Sequence, residues 1–190
     1  CAAGNRAKIQ LLQSRFLPLG SKGDANKQWQ APLCLAYGTG SKRKQLCHLM
    51  TGTQESVPLP ETQCPAWVLP NGGGAAYMVY DLDEAGWDKL IDSFDELTIA
   101  EKIATASSIQ SSYLAGRIDT ARLIRFARLF AGSEEWAVSR TAMNMLRTVT
   151  YTVLPPEQRS SIQAIGRDAY AAMRGKFDTG PASFGRADPD

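Results

Sequence analysis

The chain has 190 residues, 44% of them hydrophobic, so it is long enough to bury a core as one large or two small domains. Its 21 basic residues nearly balance its 19 acidic residues, so the charge gives no field strong enough to argue for nucleic acid or an anionic membrane as the default partner. No run of residues approaches the ~18 consecutive apolar positions that a membrane helix needs, and the first residues lack the pattern of a signal peptide.

The first part of the chain has the pattern of short strands and turns, which predicts a small antiparallel β-sandwich over residues 1–82. Pro32 would interrupt the hydrogen bonding of a central strand, so the strand that contains it is expected at a sheet edge. The predicted strands lie within residues 7–16, 29–38, 45–50, 51–60, 66–70 and 75–82.

Two glycine-containing segments resemble phosphate-binding loops, but neither has the required spacing or a helix after it. Residues 38–44, "GTGSKRK", are therefore predicted to form a solvated hairpin tip. The glycines after Asn71 are predicted to form a tight turn, because glycine adopts positive φ without steric cost.

From Asp83 onward the apolar residues recur at intervals of three and four, which predicts five helices. The first carries the stripe Trp87, Leu90, Ile91, Phe94 and Leu97, and Thr98 with Glu101 forms a capping box before the second. Short connections favour antiparallel neighbours, so residues 83–190 are expected to form a solenoid-like array of helical hairpins with a loose tail from about residue 176. The remaining predicted boundaries are Gly116, Asp119, Gly132, Ser133, Pro155, Pro156 and Gly175.

All four cysteines lie in the first third of the chain, at Cys1, Cys34, Cys47 and Cys64. Without a closely spaced cysteine pair they make a poor zinc site, so two disulfides in an oxidising compartment are the favoured interpretation. The three possible pairings stay open, although Cys1 with Cys34 and Cys47 with Cys64 would each join expected strand neighbours. A periplasmic or secreted protein is therefore predicted, and a cytoplasmic one if the thiols are free.

The residues suggest no catalytic apparatus. His48 is the single histidine of the chain, so it cannot supply a zinc site of the H-E-x-x-H type, and a structural histidine in a strand is the better interpretation. The carboxylates of residues 81–97 are spaced around the helix stripe and are expected on its solvated face. No catalytic, metal-binding or cofactor-binding residue is therefore predicted.

A series of short motifs resembles the aminopeptidase N family of zinc metallopeptidases, in the region after its catalytic domain. Each motif is weak alone, but their order and spacing over residues 5–175 follow that family. The residues that carry the resemblance are Gln13, Arg15, Phe16, Trp29, Pro32, Trp67, Asn71, Gly74, Tyr77, Tyr80 and Asp81. The chain departs from the family pattern at residues 75–77, which suggests a divergent bacterial member.

The resemblance implies a parent enzyme that removes N-terminal residues from peptides with a zinc ion. The family's zinc motif would lie before Cys1, so no zinc or catalytic residue is carried over to this chain. In that family the sandwich is a spacer and the helical domain forms a wall of the substrate chamber. The implied partners are the missing catalytic domain and, for the parent, a peptide substrate.

Two other functions stay open. The chain could be a stand-alone module that binds peptide or protein on a concave helical face. A carbohydrate-binding sandwich is less favoured because it leaves the helices unexplained. If further helices belong on the array, the exposed apolar face predicts possible self-association.

Overall fold

The computed structural model describes residues 6–171, which form two small antiparallel sheets followed by five α-helices. The first sheet pairs the first and fourth strands, and the second contains the third, second and fifth strands in that order. Both sheets are open, and the predicted order of β-structure before α-structure is confirmed. The strands are β1 (Lys8–Leu12), β2 (Ala31–Thr39), β3 (Lys42–Met50), β4 (Gln54–Pro58) and β5 (Trp67–Leu69).

The two sheets share one apolar core. Burial alternates along β1, so that Ile9 and Leu11 point inward, as the period of a strand requires. They belong to one cluster with Leu35 and Tyr37 of β2 and Val57 of β4. The packing of both inner faces on each other stabilises the sheets, since neither could bury its apolar side alone.

The prediction that the strand with Pro32 lies at a sheet edge is wrong for the strand as a whole. β2 is the central strand of its sheet, between β3 and β5. However, β5 is short and pairs only with Ala36–Gly38, whereas Pro32 pairs with Leu49 of β3 alone. Pro32 is therefore tolerated because β5 does not extend along that end of β2.

Cys34 and Cys47 form a disulfide between β2 and β3, where they face each other in the strand register with Cα atoms 4.0 Å apart. This pairing excludes both Cys1 with Cys34 and Cys47 with Cys64. Cys1 lies outside the described residues, and none of the cysteines within residues 6–171 is a free thiol. The correct pair became visible only through the hairpin register, which sequence spacing did not fix.

The predicted strand over residues 75–82 is absent, because the chain folds back on itself after β5. The Asn71 side chain accepts a hydrogen bond from Ala76 N and donates one to Ala76 O, both at 3.0 Å. Further along, Tyr80 N donates to Ser108 Oγ instead of to a neighbouring strand. Side chains therefore satisfy backbone groups that a strand would have paired in a ladder.

The helices are α1 (Glu84–Asp92), α2 (Ile99–Leu114), α3 (Thr120–Ala131), α4 (Trp136–Thr148) and α5 (Arg159–Ala169). The first predicted helix is shorter than expected, since α1 ends before Ser93 and a 3₁₀ turn, Phe94–Glu96, follows. The predicted apolar stripe is nevertheless buried in full. The capping box of Thr98 and Glu101 at the start of α2 is confirmed in both its hydrogen bonds.

The other helix boundaries agree closely with expectation. Gly116 follows α2 with a φ of +73°, and the Asp119 side chain accepts from Arg122 N at the start of α3. α4 begins after Glu135, two residues later than the expected cap at Ser133. It continues into a π-helical turn, Val149–Val153, which the sequence pattern did not predict, and Pro156 opens a 3₁₀ turn, Pro156–Gln158, before α5.

The chain divides into two compact units, Cys1–Leu123 and Ile124–Asp190. The first contains both sheets with α1 and α2, and the second contains α4 and α5. The division falls within α3, whereas the sequence placed a boundary after Leu82; that boundary, like the solenoid-like stacking of the helices, stays a prediction. The predicted tail from about residue 176 lies outside the described residues.

Candidate functional site

Glu101, in the first turn of α2, is a charged side chain with 0% exposed surface. Its Oε1 accepts hydrogen bonds from the Arg43 guanidinium and from Gly73 N, the latter at 2.6 Å, and its Oε2 accepts from Thr98 N at 2.9 Å. These four residues, Arg43, Gly73, Thr98 and Glu101, are called the Glu101 junction below. It joins β3, the short 3₁₀ turn Gly72–Gly74, called the glycine turn below, and α2 through one carboxylate.

Arg43 reaches this junction from residues 38–44, the segment "GTGSKRK". Its guanidinium also donates to the Glu96 carbonyl oxygen at 3.2 Å and lies 5.7 Å from the ring centroid of Trp67. The neighbouring Lys44 pairs with Glu61. Two of the three cations in this segment are therefore engaged by carboxylates of the same compact unit, and residues 42–44 belong to β3 instead of a loop.

The glycine turn packs between the sheet and α2. Gly73 and Gly74 have φ values of +74° and +64°, which side-chain-bearing residues rarely adopt. A Cβ on Gly74 would lie 2.7 Å from Ala100 O, and one on Gly72 would lie 2.8 Å from Cys34 O. The predicted tight turn is thus present, and the glycines serve close backbone packing.

A second network surrounds Asp81 and Tyr80, in the segment between the glycine turn and α1. Asp81 Oδ1 accepts hydrogen bonds from Trp87 Nε1 at 3.1 Å and from Ser112 Oγ at 2.8 Å, and Oδ2 pairs with Arg117. The hydroxyl of Tyr80 lies 2.6 Å from Thr105 Oγ1, and burial raises the pKa of this hydroxyl well above its ordinary value. Both side chains fasten the connecting segment to α1 and α2.

The remaining motif residues are divided between structural contacts and solvent. Gln13 bridges two loops, because its side chain donates to Gly52 O at 2.7 Å and exchanges hydrogen bonds with the backbone of Trp29. The Asn71 and Trp67 side chains are buried. Exposed or partly exposed positions are Arg15, Phe16, Trp29, Pro32 and Tyr77.

His48 on β3 pairs through Nε2 with Glu55 Oε2. The hydrogen bond from His48, followed by those from Gly52 N and Thr51 N, lowers the pKa of Glu55 from 4.5 to about 2. Zinc requires three or four such ligands, and this pair has no third. Residues 6–171 contain no group of three or more histidine, cysteine or acidic side chains able to hold a metal ion.

Sequence inspection did not identify the role of Arg43 or the burial of Glu101. The capping box predicted the local hydrogen bonds of Glu101, but nothing in the pattern indicated an arginine 58 positions earlier as its partner. The carboxylates expected on the solvated face of the first helix include Glu84 and Asp88, which pair with Arg122. These contacts are ion pairs and hydrogen bonds that join separate elements of the fold.

No helix within residues 6–171 is long and apolar enough to cross a membrane. No family model matches the chain. The chain is 23% identical over 137 residues to the puromycin-sensitive aminopeptidase of Caenorhabditis elegans. This alignment covers 71% of the chain but only 14% of that relative, so the chain spans a small part of the relative's length. The similarity supports a distant relation to an aminopeptidase.

Proposed function

We propose that the chain is a non-catalytic C-terminal portion of an aminopeptidase N-like zinc metallopeptidase, whose parent removes N-terminal residues from peptides. The sandwich acts as a spacer, and the helices form part of the wall of the substrate chamber. The observation that carries the proposal is the similarity to an aminopeptidase together with the ordered motif series from Gln13 to Asp81.

The hydrogen bonds of the motif residues support this role. Asn71 and Asp81 each use a side chain to fix the segment that leads from β5 to α1. Glu101 binds the glycine turn and β3 to the first turn of α2. A spacer must hold its neighbours in fixed orientation, and buried hydrogen-bonded groups of this kind make the connection rigid.

The gene provides the sharpest test of the proposal. An open reading frame that extends well upstream of Cys1 and encodes an H-E-x-x-H motif supports a fragment of a zinc peptidase. A start codon close to Cys1 would contradict it and favour a stand-alone module that binds peptide or protein on its helices.

A biochemical test uses the purified chain of 190 residues. We expect it to bind no stoichiometric zinc and to leave an aminoacyl-anilide uncleaved, since the zinc motif belongs to the proposed upstream domain. An anilide-cleaving activity that co-purifies with the chain and is abolished by a chelator would refute the non-catalytic assignment.

We further propose that the protein resides in a periplasmic or extracellular compartment, because disulfides persist in oxidising surroundings. The Cys34–Cys47 disulfide supports this location. Thiol titration of the denatured, unreduced protein, isolated in the presence of a thiol-blocking reagent, should find close to no free thiols. Four reactive thiols would indicate a cytoplasmic protein.

A further inference from the structure

A cavity of about 360 Å³ opens in the second compact unit, between the end of α4, the π-helical turn and α5. Its surface is mostly apolar and includes Met143, Leu146 and Ile162. The ring of Tyr170 forms a further part of the wall, while its hydroxyl donates to Ser139 O at 2.6 Å. The hydroxyl is therefore satisfied within the unit, and the cavity presents an apolar surface to a ligand.

Two arginines, Arg147 of α4 and Arg167 of α5, also line this cavity. Both are exposed, and neither makes a hydrogen bond or ion pair with another described residue. Among residues 6–171, no aspartate or glutamate contributes to the lining. The apolar surface is thus flanked by two cations without an acidic partner among residues 6–171, which is the charge pattern that complements an anionic ligand.

The π-helical turn supports the assignment independently. π-Helical turns are uncommon, and they occur frequently at functional sites. Here the turn places Thr150 and Tyr151 on the cavity, with the Thr150 hydroxyl donating to Leu146 O at 2.8 Å. The Tyr151 side chain is 63% exposed, and the Arg159 guanidinium lies 5.3 Å from its ring centroid. The aromatic ring of Tyr151, with Arg159 as a third cation beside it, therefore lies at the opening of the cavity.

We propose that this cavity binds a small amphiphilic carboxylate, in which an aliphatic chain ends in one carboxylate group. The aliphatic chain contacts Met143, Leu146 and Ile162, and Arg147 and Arg167 bind the carboxylate. The volume favours a small molecule over a folded partner, because ligand clefts begin at roughly 300 Å³. The methionine suits this ligand, since its flexible side chain adapts to chains of different shape. This inference is independent of the proposed function.

Isothermal titration calorimetry of the full chain with dodecanoate, kept below its critical micelle concentration, tests the proposal. We expect one saturable site that dodecanol and dodecyltrimethylammonium fill more weakly. Arg147→Gln and Arg167→Gln should each weaken dodecanoate binding about tenfold, the usual effect of losing one hydrogen bond to a charged group. Arg140→Gln is the matched control, because Arg140 is an exposed arginine on α4 that does not line the cavity, and it should leave binding unchanged.

A second variant tests the apolar part of the site without changing charge. Gly166 lines the cavity, and a Cβ there would lie 3.5 Å from Leu146 Cδ1, an ordinary contact. Gly166→Leu should therefore fold, occupy the cavity and abolish binding. Circular dichroism verifies folding, and the arginine variants decide the question if this variant does not fold.

The proposal is overturned by equal binding of dodecanol, by unweakened binding to both arginine variants, or by no saturable binding at all. Binding of an acidic amphipathic peptide, with none of dodecanoate, would show that the surface serves a protein partner instead.

Discussion

At the scale of single residues, Glu101 connects three parts of the first compact unit. Burial by itself raises the pKa of this carboxyl, but the hydrogen bonds from Arg43, Gly73 N and Thr98 N outweigh it and hold the pKa below its ordinary value. The folded state therefore favours the ionised form. Removal of the carboxylate would leave a cation and two backbone N–H groups without their acceptor.

Glu101→Ala is expected to destabilise the protein by about 2 kcal/mol or more, because Gly73 N and Thr98 N lose their acceptor and the partly exposed Arg43 loses its carboxylate partner. Glu84→Ala is the matched control, because Glu84 is 83% exposed and its partner Arg122 keeps a second carboxylate, Asp88. The control should cost less than about 1 kcal/mol. Urea unfolding followed by circular dichroism measures both, and equal losses would contradict the importance of the Glu101 junction.

The lowered pKa of Glu55 predicts acid sensitivity. Because its folded-state pKa of about 2 lies below the ordinary 4.5, the unfolded state binds more protons in this interval. The contribution of the Glu55 carboxylate to the free energy of unfolding is complete above about pH 4.5, and it is lost as the pH falls towards 2. In thermal unfolding from pH 6 to pH 2, the difference between the native protein and Glu55→Gln should shrink over that interval.

Asp95→Asn is the control for this pH profile, because Asp95 is exposed and has no partner among the described residues. Its profile should follow that of the native protein. A Glu55→Gln difference that stays constant down to pH 2 would show that the His48–Glu55 contact does not stabilise the fold.

At the scale of elements, the glycine turn determines how the sheet meets α2. Gly73 and Gly74 share positive φ, but only Gly74 has a backbone atom in the space that a side chain would fill. The two positions therefore separate conformational strain from steric overlap. The turn also directs Gly73 N towards Glu101. It therefore supplies a hydrogen-bond donor to the Glu101 carboxylate as well as a change of chain direction.

Gly73→Ala is expected to cost about 1–2 kcal/mol, the strain of a left-handed residue, because nothing lies within 4 Å of its added Cβ. Gly74→Ala should cost clearly more, since its Cβ would lie 2.7 Å from Ala100 O and the start of α2 would have to move. Chemical denaturation of both variants gives the comparison. Equal costs would show that the turn relaxes away from α2.

At the scale of the whole molecule, each compact unit leaves large apolar side chains in contact with solvent. In the first unit these include Ile99 and Ile103 of α2. In the second unit they include Trp136, Met143 and Val153. Where such side chains adjoin one another, they form the kind of surface on which another chain or domain binds.

We therefore predict concentration-dependent self-association of the isolated chain. Sedimentation velocity over a hundredfold range of concentration should show a rising weight-average sedimentation coefficient. Met143→Lys and Val153→Lys together should reduce the self-association. Glu157→Lys is the control for added charge, because Glu157 is also exposed. A monomer at every concentration would indicate that these side chains are simply solvated.

The sequence by itself determined the order of sheets and helices, the capping box at Thr98 and the buried stripe on α1, because these depend on local periodicity and neighbouring residues. It did not determine the pairing of Cys34 with Cys47, the central place of β2, or the bond between Arg43 and Glu101. Each of these depends on which distant segments meet. The strand expected after the glycine turn also depended on distant segments, although its local pattern is that of a strand. It does not form, because the side chains of Asn71 and Ser108 bind backbone groups that a neighbouring strand would have paired.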